Sequence, residues 1–237
     1  MKRKKIQKMI RYYDERAEEY DEVYFGNIPR MYKESYNRVA AKIVRLNRKD
    51  VKNLIKIAGK FGQGHLIDIG CGTGFWLQYY AGNCKHITLI DRSKKMLRVC
   101  RQRINKLALR KRCKLTGGDF FKFKIAKDSY DSAFIGFLVS HLIPEDEDMF
   151  FDKLKGILKP NGKVLIFDST WSPIRKGIRA KEGYHERILN DGRKFNIYKR
   201  YFTRSDITRM CKRHGLKLNS LHMGKVFFAA IVYIDFA

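Results

Sequence analysis

A short apolar run, Leu66-Ile67-Asp68-Ile69, leads directly into Gly70-Cys71-Gly72-Thr73-Gly74, and a helical pattern starts at Phe75. No other feature of the chain restricts its fold so strongly. The run reads as a short buried strand, and the residues after the glycines read as a helix start. Glycines between them permit a sharp turn, a close approach of ligand to backbone, and free N–H groups at the helix start. The rhythm then repeats. Residues 87–91, 113–116, 130–137 and 164–167 read as further strands, with helical patterns between most of them. Strand–helix–strand units of this length give an α/β fold, a parallel sheet with helices on both faces.

The flanks depart from that rhythm. Ile6, Met9, Ile10, Tyr13, Ala17, Tyr20 and Tyr24 recur at three- and four-residue steps, predicting one amphipathic helix over 4–24 that Gly26-Asn27-Ile28-Pro29 breaks. Helical patterns follow over 32–46 and 51–58, so residues 1–60 read as a helical lead-in or cap to a domain spanning 61–237. Ser93 is placed to cap the helix after the second strand, and Pro144 opens one whose first turn is acidic. Segments 216–221 and 226–234 predict an antiparallel hairpin, and 184–190 with 193–201 a second, around Asp191-Gly192, in an insertion at about 172–202. Thr203, Asp206 and Gly215 bound the last helix.

Of 237 residues, 51 are Lys or Arg and 24 are Asp or Glu, a formal charge of +27. The excess is spread along the chain, with one dense run of eleven basic residues from Arg92 to Lys114 that contains no aromatic side chain. Such a surface attracts polyanions, although single-stranded RNA readers interleave aromatics on which bases stack. A composition of 44% apolar and 13% aromatic residues excludes disorder, and no apolar run approaches the ~18 residues of a membrane helix. Five widely spaced cysteines fit neither a zinc site nor a disulfide framework and point to a reducing, cytoplasmic setting; no metal site is expected.

A dinucleotide fingerprint, counted from Gly70, demands glycine at 75, where Phe stands. The G-x-G-x-G spacing suits a nucleoside without a pyrophosphate. Asp91 ends the second strand, where a carboxylate meets ribose hydroxyls. Asp119, in Gly117-Gly118-Asp119-Phe120-Phe121, places an acceptor for an adenine amino group beside rings that stack on a base.

At these residues the sequence resembles the class I S-adenosylmethionine-dependent methyltransferases of small-molecule type, including the ubiquinone/menaquinone-biosynthesis C-methyltransferases. Residues 66–74, 89–93 and 118–121 are similar to the family's first three motifs, YDSAFIGFLVSHL (130–142) and LKPNGKVLIFD (158–168) to the fourth and fifth. YYDERAEEYD (12–21) resembles the helix that closes over the cofactor. The resemblance implies a Rossmann-like sheet of seven strands, mostly parallel with an antiparallel last strand. It implies S-adenosylmethionine as cofactor and S-adenosylhomocysteine as product. Asp68, Gly70, Gly72 and Gly74 then line the methionine part, Asp91 the ribose and Asp119 the adenine. Cys71, Thr73, Arg92, Met96, Gly118, Phe120 and Phe137 complete the implied cofactor set with Tyr13 and Tyr20, and the rings of Tyr12, Tyr13 and Tyr20 are placed to shield the sulfonium.

His141, just beyond the fourth strand, is the first candidate for a catalytic base; His185 and Glu186 in the inserted hairpin are secondary. The residues after that strand read Gly136-Phe137-Leu138-Val139-Ser140-His141, without the N/D/S-P-P-aromatic motif of base-amine enzymes. No cysteine between Cys113 and Cys211 serves as an RNA cytosine-C5 nucleophile. These absences favour a small-molecule acceptor over tRNA or rRNA. A non-catalytic S-adenosylmethionine-binding module is the third reading.

Overall fold

The computed structural model describes residues 2–25, 37–176 and 179–234. A seven-stranded sheet organises them. Its strands are β1 (His65–Ile69), β2 (His86–Asp91), β3 (Cys113–Gly117), β4 (Tyr130–Gly136), β5 (Leu158–Ser169), β8 (Leu216–Met223) and β9 (Phe227–Ile234), in the order β3-β2-β1-β4-β5-β9-β8. The first five are mutually parallel, and β9, last in sequence, runs antiparallel between β5 and β8. β6 (Glu182–Ile188) and β7 (Lys194–Arg200) form a separate two-stranded antiparallel sheet.

The strand order determines where a site can form. β1 leads to β2 and β3 on one side, and the chain then crosses over β1 to lay down β4 on the other. The loops after β1 and β4 therefore diverge and leave a crevice at the strands' carboxyl ends, where open α/β sheets take their ligands. Packing holds the crevice rigid. Leu66, Ile67 and Ile69 of β1 and Val164, Leu165, Ile166 and Phe167 of β5 are buried, with apolar clusters on both sheet faces.

The helices are α1 (Lys2–Arg16), α2 (Glu22–Phe25), α3 (Asn37–Ala58), α4 (Leu77–Tyr80), α5 (Lys94–Lys106), α6 (Pro144–Ile157), α7 (Pro173–Lys176) and α8 (Arg204–Arg213). Among the described residues, no helix is long and apolar enough to cross a membrane. Ser93 caps α5 by accepting the Met96 N–H, and Thr203 with Asp206 forms a reciprocal capping box on α8. All five cysteines are free.

Four expectations need correcting. The helix expected over 4–24 is two helices, because the chain turns through residues 17–21. There the Asp21 carboxylate accepts the Thr73 hydroxyl at 2.5 Å and pairs with Arg103. The patterns at 32–46 and 51–58 are a single helix over the described part, α3, while Tyr32, Tyr36 and the Gly26–Pro29 break lie outside the described residues. The polar stretch between those patterns is not a break. Asp50 is buried and accepts the N–H groups of Val226 (2.6 Å) and Phe227 (3.0 Å), pinning α3 to the terminal hairpin. The helix expected from Phe75 starts at Leu77 and has one turn, continued by a 3-10 turn at Ala81–Asn83. The Asp191-Gly192 hairpin closes with a five-residue loop, 189–193, because Ile188 and Lys194 are the last paired residues. Asp191 shapes that loop by accepting the Arg193 N–H.

Candidate active site

β1 ends at Ile69, and its loop is tied at once to β2: the N–H groups of Gly70 and Cys71 both donate to the Ile90 carbonyl, at 2.8 and 3.0 Å. Bending the chain this tightly puts Gly72 (φ +54°) and Gly74 (φ +70°) in the left-handed region, and a Cβ at Gly74 would meet Cys100 Sγ at 2.8 Å. Asp91, at the end of β2, clamps the next turn. Its Oδ2 accepts the Gly72 N–H and its Oδ1 the Ser93 N–H, each at 2.8 Å. Burial raises the Asp91 pKa, opposed by those backbone donors, so the site holds a desolvated carboxylate whose remaining lone pairs are open to a donor.

Above these turns lies a cavity with about 1040 Å³ of empty volume, part of it open to solvent. Its floor is the strand ends, including Gly70, Gly72, Asp91, Arg92, Gly118 and Phe137. Met96 of α5 and Phe120 form walls, and α1 covers it with Met9, Ile10 and Tyr13, joined by Tyr20. The acids of 14–21 hold this cover down: Asp14 accepts from the Ser93 hydroxyl at 2.6 Å, and Glu15, Glu18 and Asp21 pair with Lys95, Arg98 and Arg103. Those three bases and Arg92, which pairs with Asp119, come from the dense basic run, so part of that run is answered inside the chain.

His141 lines the same cavity, in a 3-10 turn at Val139–His141 after β4. Its Nδ1 lies 2.7 Å from the Tyr198 carbonyl, which can only accept, so Nδ1 carries the hydrogen. Nε2 is then a lone pair, and the Tyr13 hydroxyl donates to it at 2.8 Å. Burial first, then Lys199, lowers the His141 pKa to about 3, so the ring is neutral. Burial raises Tyr13 well above 10 and Tyr20 to about 12, so both phenols stay protonated.

Five residues of the expected set lie outside the lining. Thr73 is buried against Asp21, and Gly74 packs on Cys100. Cys71 is partly buried, and its thiol is raised well above its ordinary value by burial first. Asp119 caps a short turn through Phe121 N–H at 3.0 Å and pairs with Arg92, both through Oδ1. Asp68 is buried beneath the loop, with Oδ2 accepting the Tyr80 hydroxyl at 2.5 Å and Oδ1 without a partner among the described residues. Burial pushes its carboxyl up to about 7. The lining also includes Leu138, Leu142 and Phe150, outside the expected set, and Phe121, one of the two rings expected to stack on a base. The secondary candidates part company: His185 is buried under the hairpin, and Glu186 is exposed on its outer face.

Residues 67–166 match the family model described as Methyltransferase domain. A demethylmenaquinone methyltransferase of Lactobacillus johnsonii (strain CNCM I-12250 / La1 / NCC 533) is 29% identical to this chain over 126 residues. That match covers 52% of this chain and 49% of the relative, so the chain spans about half the length of the curated relative it matches. Among solved structures, a DhpI–SAH complex has a TM-score of 0.70 at 20% identity, covering 98% of both chains. A DhpI–SAM–HEP complex has a TM-score of 0.67 at 23% identity over 96% of this chain and 97% of the other. At these identities the likeness is one of fold.

Proposed function

We propose that this chain transfers the methyl group of S-adenosylmethionine to a small-molecule acceptor by in-line displacement. The observation that carries this reading is the Asp91 carboxylate, held by Gly72 and Ser93 on a cavity floor at the sheet's switch point. The residues present fit the cofactor. Asp91 accepts from ribose hydroxyls. Asp119 spends both protein contacts on Oδ1 and offers Oδ2 to an adenine amino group beside Phe120 and Phe121. The orphaned Asp68 Oδ1 marks a buried carboxylate short of a donor, as an ammonium-bearing ligand would supply. Bound there, the cofactor supplies a methyl group already activated on a sulfonium.

The protein's own work is positioning and exclusion of water. Tyr13 and Tyr20 present neutral rings over the cavity, suited to a cation. Neutral His141, with Nδ1–H held by the Tyr198 carbonyl and the Nε2 lone pair taken by the Tyr13 hydroxyl, fixes the Tyr13 ring over the cavity. With a pKa near 3 it is a weak base. A small molecule is supported by the absent base-amine motif at residues 136–141 and by the similarity to a demethylmenaquinone methyltransferase. The test supplies S-adenosylmethionine labelled in its methyl group to the full chain with either metabolite extract or purified tRNA and rRNA. Label in the metabolites is expected. Stoichiometric labelling of RNA alone overturns the small-molecule reading, and labelling of neither overturns catalysis.

A further inference from the structure

The inner face of the β6–β7 hairpin carries charged and polar groups that lie outside the cavity lining. The antiparallel register sets His185 opposite Ile197, Arg187 opposite Phe195 and Lys199 opposite Gly183, so these side chains share a face. Apolar and cationic side chains interleave along that face. Ile197 and Leu189 pack with Tyr12 of α1. The Arg187 guanidinium donates to the Tyr201 hydroxyl at 3.3 Å, and Arg175 of α7 lies over the Tyr201 ring, 4.6 Å from its centroid. Lys199 is buried and donates to Ser140 Oγ at 2.5 Å and Asp168 Oδ1 at 3.1 Å, one residue from the Tyr198 carbonyl that holds His141.

Charge and hydrogen bonding are both left incomplete there. Asp168 answers Lys199, but among the described residues neither Arg175 nor Arg187 forms an ion pair with a carboxylate. Thr170 Oγ1, Ser172 Oγ, Arg175 Nε and His185 Nε2 are buried without a partner among the described residues. Thr170, Ser172 and His185 are only 4%, 7% and 7% exposed, too enclosed for solvent to satisfy them freely. Burial alone raises the Tyr201 phenol; Arg187, Arg175, Arg179 and Lys199 outweigh it and bring the pKa down to about 8, a sign of strongly positive potential. Guanidinium forks and hydroxyls together supply what an oxyanion takes: several donors and a net positive charge.

We propose that this cluster, chiefly Arg175, Arg187 and the Tyr201 hydroxyl, binds an anionic oxygen group of the methyl acceptor, either a carboxylate or a phosphate-type group. The inference rests on the methyl-transfer reading of the adjacent cavity, which it deepens by making the substrate an acid held beside His141.

The test uses the full chain saturated with S-adenosylhomocysteine and titrated with inorganic phosphate or acetate at constant ionic strength, chloride balancing the salt. Tryptophan fluorescence reads binding, since the Trp171 ring lies 6.1 Å from that of Tyr201. A saturable response is expected. Arg187→Gln and Arg175→Gln should each weaken it by about tenfold or more, while Arg101→Gln, on the exposed side of α5, leaves it within about twofold. Tighter phosphate assigns a phosphate-type group and tighter acetate a carboxylate; either supports the subsite. No saturable response to either anion, or equal loss in all three variants, overturns it. Cofactor affinity is titrated separately on the same proteins. Cofactor binding without anion binding sinks the subsite alone, and anion binding without cofactor binding sinks the methyl-transfer reading alone.

Discussion

Tyr13 and His141, 128 positions apart in the chain, meet through a 2.8 Å hydrogen bond that joins the covering helix to the turn after β4. The Tyr198 carbonyl fixes the imidazole from its other side. Three separate parts of the sequence thus orient one lone pair. His141→Phe removes that acceptor and Tyr13→Phe removes its partner. Each should lower turnover by about tenfold to a hundredfold while S-adenosylhomocysteine affinity stays within about threefold. Because the ring is neutral down to a pKa of about 3, the wild-type pH–rate profile should show no His141 inflection between about pH 5 and 8. An inflection there that vanishes in His141→Phe contradicts the assignment.

Asp68 is the group through which ligand affinity should depend on pH. Its folded-state pKa, raised to about 7 by burial, lies above that of the unfolded chain, so the native state holds an extra proton between about pH 4 and 7. Native stability therefore falls as pH rises through that window, by up to about 1.4 kcal/mol per pH unit. Asp68→Asn should melt higher than wild type at pH 8 and lose that slope. If a ligand ammonium answers the carboxylate, binding at pH 6 releases a proton. Calorimetry in buffers of differing ionisation heat should detect the release in wild type and lose it in Asp68→Asn.

The strand sequence, the glycine turn and Asp91 were legible because each depends on neighbours in the chain: apolar runs, alternating glycines, an acid at a strand end. What was not legible depends on distant partners. Nothing local separates Tyr20 and Asp21 from a continuing helix; Thr73 and Arg103 decide it. Asn47 and Asp50 look like a solvated break until the terminal hairpin presents its N–H groups to Asp50. Asp119 carries the right chemistry for an adenine, yet Arg92 and Phe121 N–H share its Oδ1. The cationic face is assembled from Arg175, Arg187, Lys199 and Tyr201, whose spacing matches no motif until the hairpin register aligns them.

The hairpin should matter to turnover more than to cofactor binding. It supplies the carbonyl that holds His141 and the Leu189–Ile197 surface on which Tyr12 packs, but none of the residues on the cavity floor. Replacing residues 184–201 with a short glycine-serine link should cut turnover by about a hundredfold and leave S-adenosylhomocysteine affinity within about fivefold. Equal losses in both would assign the segment to the cofactor site.

Sheet stability should depend on the β5 core. Leu165 is fully buried on a central strand, and Leu165→Ala leaves a cavity that close-packed neighbours fill only in part. Urea unfolding should show a loss of about 2–5 kcal/mol, without a change in the cofactor's binding stoichiometry. A loss under about 1 kcal/mol would show that this part of the sheet is not packed as described.

The account depends most on the carboxylate at the end of β2. Calorimetric titration of S-adenosylhomocysteine into the full chain and its Asp91→Ala and Asp91→Asn variants tests it directly. One-site saturable binding is expected in wild type, weakened in Asp91→Ala by about 1.5–3 kcal/mol, with Asp91→Asn between the two. No binding to wild type, or undiminished affinity in Asp91→Ala, would contradict the account.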